Sequence, residues 1–587
     1  MSHSLFLPVS QDDVRSRGWD CLDIIIISGD AYVDHHSFGT AVIGRYLEKH
    51  GFKVGVIPQP DWRDPAQFLK LGKPRLFFAV TSGNMDSLVC NRTSANKPRR
   101  TDMFSPGGKA GMRPDRSIIV YTSMIKNIAK GVPVVIGGIE ASLRRLAHYD
   151  YWSNSVRRSI LLDSKADILV YGMGEKPVLE IARRLNSGEP DLSGIEGTCI
   201  MSKEAPSDAV SLPDFEIVRD DKKAYMKAHK QFVDYFLQRP DYPIFQKYQN
   251  RWLVHAPPGP PLTTQEMDEI YALPFKRRPH PMYDSLGGIP AFEAVKFSVT
   301  AHRGCFGGCS FCALFFHQGH IIQSRSKESI LAELRQYVND PDFKGTVSDI
   351  GGPTANMYGL GCKYHEKGTH CGKSTCLGDS PCPALNRDHS KYMDILASAR
   401  SIKGISHVFV SSGLRYDIIP ESDAYKILTE LCTHHISGQL KVAPEHISPN
   451  VLRLMNKPGK SKFVQFQNLF SQINKKLKKK QYIIPYFIVS HPGCTEEDML
   501  QLQRFLTGQG FIPDQIQDFL PTPMTTSTCM YYTELDLFTE TTIFVPKSVH
   551  DRTRQRTILH GYKKSIRHAP DKQKEPAGKR HRSSRKR

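Results

Sequence analysis

Cys305, Cys309 and Cys312 lie in the run RGCFGGCSFC, with the spacing C-x3-C-x2-C. Three thiols on one short loop can point to a common centre, and soft thiolate sulfur is the ligand that iron–sulfur clusters take. A four-iron cluster held by three local cysteines keeps one iron open to chelate a substrate or cofactor. A structural metal site would instead be closed. Two other chemistries fit the same residues: a zinc site completed by His317 or His320, and buried free thiols.

A second group, Cys362, Cys371, Cys376 and Cys382, has the spacing C-x8-C-x4-C-x5-C, with His365, His370 and His389 nearby. Four thiols in so short a stretch could enclose a structural zinc or a second cluster. The tight C-x2-C pairs of zinc ribbons are missing, and reduced cysteines in a Gly-rich insertion are the alternative. Seven of the 13 cysteines fall between Cys305 and Cys382, in a chain whose start lacks the basic-then-apolar order of an export signal. That argues against a disulfide framework and for a cytoplasmic protein. No apolar run approaches the roughly 18 residues of a membrane helix, so no membrane partner is expected.

The elements that must position these groups form two series. At 587 residues, with 40% hydrophobic and 24% charged residues, the chain suits several soluble domains. LDIIIIS (22–28) reads as a buried strand, followed by an apolar helical face at Val42, Ile43, Tyr46 and Leu47 that Gly51 ends. Further strands are expected at 52–57, 76–80, 132–136 and 167–171. Strands alternating with helices imply a doubly wound parallel sheet, whose ligands lie beyond the carboxyl ends of the strands. The loops placed there are Gly29-Asp30, Thr81 to Asn84, Gly137 to Glu140 and Gly172 to Glu175. A second βα series, with strands at 294–301, 346–350, 407–411, 439–443 and 483–490, suits a full or partial barrel with its chemistry at the strand ends. The first of these strands leads straight into the three-cysteine loop.

Phe311 before the third cysteine, and the glycines at 304, 307 and 308, resemble the cluster loop of the radical SAM superfamily. Later strand ends resemble its S-adenosylmethionine contacts. Gly351-Gly352-Pro353-Thr354 is similar to the superfamily's GGE segment, with proline in place of the acid, so only the backbone role carries over. Ser411 to Arg415 resembles the position that meets the ribose or carboxylate. The strand-and-helix unit around Glu445 and the segment HPGCTEED resemble methylthiotransferase-like members. Over nearly the whole chain, GDAYVDHHSFG, GGIEASLRRLAHYDYW, DSKADILVYGMGE and SGQLKVAPEH resemble the YgiQ family of radical SAM proteins.

The resemblance implies a [4Fe-4S] cluster on Cys305, Cys309 and Cys312. It implies S-adenosylmethionine contacts at Gly351, Gly352, Ser411, Arg415 and Glu445, and a flavodoxin- or ferredoxin-like electron donor. Reductive cleavage of S-adenosylmethionine would then give a 5′-deoxyadenosyl radical acting on an unknown substrate, such as RNA or protein. Asp34-x-His36-x-x-Gly39 resembles the loop by which some cobalamin domains supply a histidine to cobalt. The YgiQ family has its histidine at the position of His35, so a cobalamin-type fold is expected and bound cobalamin is the lesser reading. Asp30, Asp34 and His35 are candidate contacts. Arg144, Arg145, His148, Tyr149, Asp150 and Trp152 form either a packed polar face or an anion surface.

The expected organisation is α/β. A cobalamin-binding-like doubly wound domain spans 1–200 and a connecting segment 201–289. A partial (β/α) barrel core spans 290–530 with a Cys-rich insertion at 358–390, followed by an extension at 531–562 and a basic disordered tail at 563–587. The tail carries eleven Lys and Arg against two acids, within a net charge of +20, and could touch RNA or another polyanion. Two further function classes fit: a cobalamin-dependent radical methyltransferase, and a non-catalytic metal-stabilised nucleic-acid-binding protein.

Overall fold

The computed structural model describes residues 5–207, 209–369, 371, 373, 375–378, 380–510 and 515–567. His370 and residues 568–587 of the expected tail lie outside the described residues. The helix Val549–Arg567 runs on through the first five residues assigned to that tail.

The isoleucine run forms the strand Ile24–Ser28, buried along its whole length. Strands covered on both faces read as continuous apolar runs, and this one lies inside a parallel sheet. From one edge the strands are Val54–Pro58, Ile24–Ser28, Phe77–Thr81, Val134–Gly137 and Ile168–Val170, all parallel. In chain order that is 2-1-3-4-5, so the order reverses beside Ile24–Ser28 and a ligand crevice opens there. The helices Gly39–Lys49 and Glu175–Asn186 pack together on one face.

The sheet does not end near residue 200. Thr198–Ser202, Arg251–His255 and Ile244–Tyr248 add antiparallel, and Val210–Ser211 closes the edge. The segment 201–289 therefore does more than connect. Residues 244–248 alternate buried and half-buried, and Gln249, with φ of +55°, turns the chain tightly into Arg251. That two-residue hairpin, flanked by period-two strands, is the signal that the sequence offered.

The second series forms an arc of parallel strands in chain order. Ser298–Thr300 pairs with Asp349–Gly351, and Thr346–Val347 with His407–Val408. Leu414 bridges to Val442, Gln439–Glu445 pairs with Tyr482–Val489, and Tyr482–Val489 with Gln515–Asp518. The helices Lys327–Val338, Ser390–Arg400, Glu421–His434, Lys460–Leu477 and Glu496–Gly508 alternate with them. Local chemistry sets their ends: Ser326 caps the first of these, and Thr495 with Asp498 forms a capping box on the last. The expected strand at 294–301 is shorter, because Pro290 starts the helix Pro290–Val295 and takes its first residues. One buried core runs from Ile25 and Phe78 through Phe315 and Phe316 to Val451 and Val489, so the two α/β units share apolar contacts.

Many histidines are sealed inside this core. Burial holds the imidazoles of His302 and His491 down at about 3, and those of His148, His229 and His446 at about 4. Below their unfolded value of about 6.5, the unfolded chain binds protons that the folded chain refuses, at about 1.4 kcal/mol per pH unit for each group. Stability is thus expected to hold from pH 8 to 7 and to fall steeply below pH 6. Thermal unfolding followed by circular dichroism checks this, and an unchanged midpoint between pH 7 and pH 5 would contradict it.

Candidate radical-cluster site

The cysteine loop begins where His302–Arg303 pairs with Gln323–Ser324. Gly304 follows with φ of +85°, and a Cβ there would lie 2.1 Å from the Ile321 carbonyl oxygen, so only glycine fits. The Cys305 amide donates to the Gly319 carbonyl at 3.0 Å, and the Cys312 amide to that of Cys309 at 2.9 Å. Cys312 opens the helix Ala313–Gln318. The loop is fastened from outside as well. The Ser310 amide donates to the Met455 carbonyl, the Ser527 amide to the Ser310 carbonyl, and Asn456 Nδ2 to the Gly308 carbonyl at 2.8 Å.

Burial raises the Cys305 and Cys312 thiols, Cys312 to about 12, and neighbouring sulfurs raise both further: Cys309 acts on Cys305, and Cys309 and Cys305 act on Cys312. Ligation must therefore displace protons. Arg415 reaches the same spot: its Nη1 donates to Cys309 Sγ at 3.3 Å, while Nε and Nη2 grip Asp417 at 2.9 and 2.6 Å. A Cβ on Gly307 would lie 2.7 Å from Arg415 Nη1, which explains that glycine. Asn356 brackets the Arg415 backbone, accepting from its amide and donating to its carbonyl at 2.9 Å each. Three thiols together, a fixed cation beside them and no fourth cysteine on the loop fit a cluster with one open iron.

The strand-end residues divide. Gly352 lies against His302, with room for no Cβ, and Thr354 two residues on hydrogen-bonds Cys305. Gly351 packs as closely on Ser412. Glu445 is buried at a bulge with φ of +66°, facing Lys457 and Arg415, and burial raises its pKa. Ser411 stands apart: it is exposed, and its hydroxyl donates to the Ser348 carbonyl at 2.6 Å. Asp417, Asn356 and Asn456 are the supports that sequence reasoning missed. Asp417 is two residues beyond Arg415 and could have been paired with it, whereas Asn356 carries no signal before folding. Alanine at Asp417 frees the Arg415 guanidinium and is expected to weaken iron loading about 10- to 100-fold, as loss of a supporting partner does at metal sites. An iron titration of the apoprotein checks this, and unchanged loading would contradict it.

The two histidines weighed for a zinc site are engaged elsewhere. His317 is bound through Nδ1 to Ser142 Oγ at 3.0 Å, and His320 packs on the rings of Phe236 and Phe315.

In the first unit, Asp34 is spent on Arg45, and Asp30 on Arg113 at 2.7 Å and the Asn84 amide at 2.6 Å. Burial pushes the Asp30 carboxyl up to about 6. His35 is buried against Phe38 and Phe292. Arg144 pairs with Asp86 and Arg116 with Asp150, while Arg145 lies over Tyr171 and Phe232. Tyr149 stacks on Tyr532, so the group around 144–152 is interior packing and not an anion surface.

Three of the four expected strand-end loops meet at a cavity of about 340 Å³, through Thr81 and Gly83, Gly137 and Gly138, and Gly172 to Glu175. Its far wall is Arg303, Leu314, His317 and Gln318, which flank the cysteine loop on both sides. Glu175 ties the walls together by accepting from Arg303 Nη1 at 2.5 Å. His36 also lines the cavity, but its Nε2 is held by Glu333 Oε1 at 2.7 Å.

A doubly wound sheet joined to an arc of βα units, with a three-cysteine loop at the first strand end of that arc, defines a radical SAM architecture. Family models bear this out: "Radical SAM N-terminal" matches residues 6–298, "Radical SAM superfamily" 299–506, and a domain of unknown function, DUF3362, 514–566. A UPF0313 protein of Methanocella arvoryzae is 50% identical over 94% of this chain and 92% of its own. One from Clostridium botulinum (strain Loch Maree / Type A3) is 48% identical over 95% of this chain and 87% of its own. The chain belongs to the UPF0313 family, that is, the YgiQ family.

Members of the radical SAM superfamily are enzymes that use a [4Fe-4S] cluster and S-adenosylmethionine and need an electron donor, which leaves the non-catalytic nucleic-acid-binding reading without support. Among solved structures, the radical S-adenosylmethionine methyltransferase TsrM from Kitasatospora setae, with cobalamin and a [4Fe-4S] cluster bound, matches at TM-score 0.50 and 13% identity, covering 85% of this chain and 73% of that one. The same fold thus holds cobalamin in that protein, and the low weight given to cobalamin from the His35–His36 departure is not borne out. Among the described residues, no helix is long and apolar enough to cross a membrane.

Proposed function

We propose that this chain cleaves S-adenosylmethionine reductively at a cluster on Cys305, Cys309 and Cys312, and directs the radical toward a substrate entering from the cavity between the two units. The observation that supports this is the wall of that cavity. Its far side includes Arg303 and Leu314, each two residues from a cysteine of the loop, so the cavity borders the segment that carries the cluster ligands.

When bound, the cluster and S-adenosylmethionine supply a 5′-deoxyadenosyl radical after one-electron reduction. The protein's part is placement. Arg415, fixed by Asp417, sets a positive charge at the loop, and buried Glu445 gives a carboxylate beside it for a cationic group. The close-packed Gly352 brings backbone past His302, while Gly351 packs on Ser412.

The assay is anaerobic reconstitution with iron and sulfide, then S-adenosylmethionine with a reduced flavodoxin- or ferredoxin-like donor. 5′-Deoxyadenosine above the no-enzyme background supports the reading, and reconstituted protein that forms none refutes it.

A second reading places a corrinoid in the same cavity, in a cobalamin-dependent radical methyltransferase. Strand-end loops of a 2-1-3-4-5 sheet favour it. His36 does not fit as a cobalt ligand through Nε2, since Glu333 holds that atom, so a corrinoid would sit without it. Cobalamin that stays with the protein through gel filtration would support this reading, and complete separation would remove it.

A further inference from the structure

The four cysteines of the insertion lie outside the machinery described so far. Gly361–Cys362 pairs antiparallel with Leu385–Asn386, which closes the insertion into a loop and brings its ends together. Inside it, the Cys382 amide donates to the Cys376 carbonyl at 2.9 Å. Cys362 and Cys376 line one cavity, Cys376 and Cys382 pack against one apolar group, and Cys371 lies on the same closed loop. Lys373 Nζ approaches Cys382 Sγ at 3.7 Å, a cation placed for a thiolate.

This neighbourhood has space beside it. A cavity of about 300 Å³ is lined by Cys362 and Cys376 together with Phe306, Leu360 and Leu385, and by the polar His320, His365 and Glu366. A single water occupies about 30 Å³ of liquid, so the space exceeds what one ion needs. A cuboidal cluster spreads four thiolates over four separate irons, and its apolar surroundings are those that the Phe306, Leu360 and Leu377 contacts supply.

We propose that Cys362, Cys371, Cys376 and Cys382 hold a second iron–sulfur cluster, closed by four thiolates. It lies next to the first site: Cys305, Cys376 and Cys382 pack against one apolar group that includes Phe306, Met357 and Leu377. Asn456 Nδ2 joins the two loops, donating to the Gly308 carbonyl and to Thr375 Oγ1. Loading the insertion therefore braces the loop that carries Cys305, Cys309 and Cys312.

The test is iron, sulfide and zinc analysis of the full chain after anaerobic reconstitution, with two variants. At four irons per cubane, the wild type is expected to hold about eight irons and eight sulfides. The Cys305→Ala/Cys309→Ala/Cys312→Ala chain and the Cys376→Ser/Cys382→Ser chain are each expected to hold about four. A wild type with about four irons that the serine variant keeps in full, or with one zinc in place of the second set, overturns the proposal. So does a triple-alanine chain that is folded by circular dichroism and holds no iron. A wild type whose iron is all lost in the serine variant and untouched in the triple variant would instead sink the radical-cluster reading, so the two failures are distinct.

Discussion

Replacing Cys309 with alanine is expected to lower 5′-deoxyadenosine formation by more than about 100-fold, beyond what loss of a mere supporting residue costs. The same holds for Cys305 and Cys312. The three thiols lie together on a loop with no fourth cysteine, so nothing local replaces a lost ligand. Arg415 sharpens the result at Cys309, because its Nη1 donates to that sulfur and would lose its acceptor in the variant, while Asp417 keeps Nε and Nη2. Cleavage assays on each variant check this. Activity within tenfold of wild type in any one would remove that cysteine from the ligand set.

The second large effect concerns stability and lies at Glu333. Its buried carboxylate accepts from His36 at 2.7 Å, Arg277 at 2.8 Å, Arg325 at 2.5 Å and the Tyr337 hydroxyl at 2.7 Å. Despite full burial, these neighbours hold it well below the usual carboxylate range. Alanine there leaves the buried guanidinium of Arg325 and the half-buried one of Arg277 facing no anion, which costs roughly 3–5 kcal/mol. A domain of ordinary stability has only about 5–15 kcal/mol in total, so the variant is expected to be poorly folded at 37 °C. Denaturant titration of the two chains measures it, and a difference below about 1 kcal/mol would show the network to be dispensable. The network joins His36 of the first unit to the first helix of the barrel, so the cavity between them should loosen too.

Much of this was legible beforehand. The isoleucine run announced a central parallel strand, and glycines after successive strands marked the loops that reach the cavity. The cysteine spacing located the cluster loop, because ligands on one short segment need no tertiary contact to be recognised. What stayed hidden depends on distant parts of the chain. Glu333, Arg277, Arg325 and His36 are ordinary charged residues until folding buries them together. Asn356 holds Arg415 across 59 residues, with no local pattern to say so. Ser411 and Arg415 looked alike as strand-end polar groups, yet only Arg415 turns toward the sulfurs. The hairpin at 244–255 did carry a period-two pattern, but the Pro-rich stretch just after it suggested a connection in place of a sheet edge.

The central claim is an open iron on Cys305, Cys309 and Cys312. Electron paramagnetic resonance of the reduced, reconstituted Cys376→Ser/Cys382→Ser chain, with and without S-adenosylmethionine, tests it most directly. A reduced cluster signal whose g-values shift when S-adenosylmethionine is added is the result expected for an iron that the cofactor can ligate. A signal unchanged by saturating S-adenosylmethionine would mean a cluster closed by protein ligands, and would contradict the account.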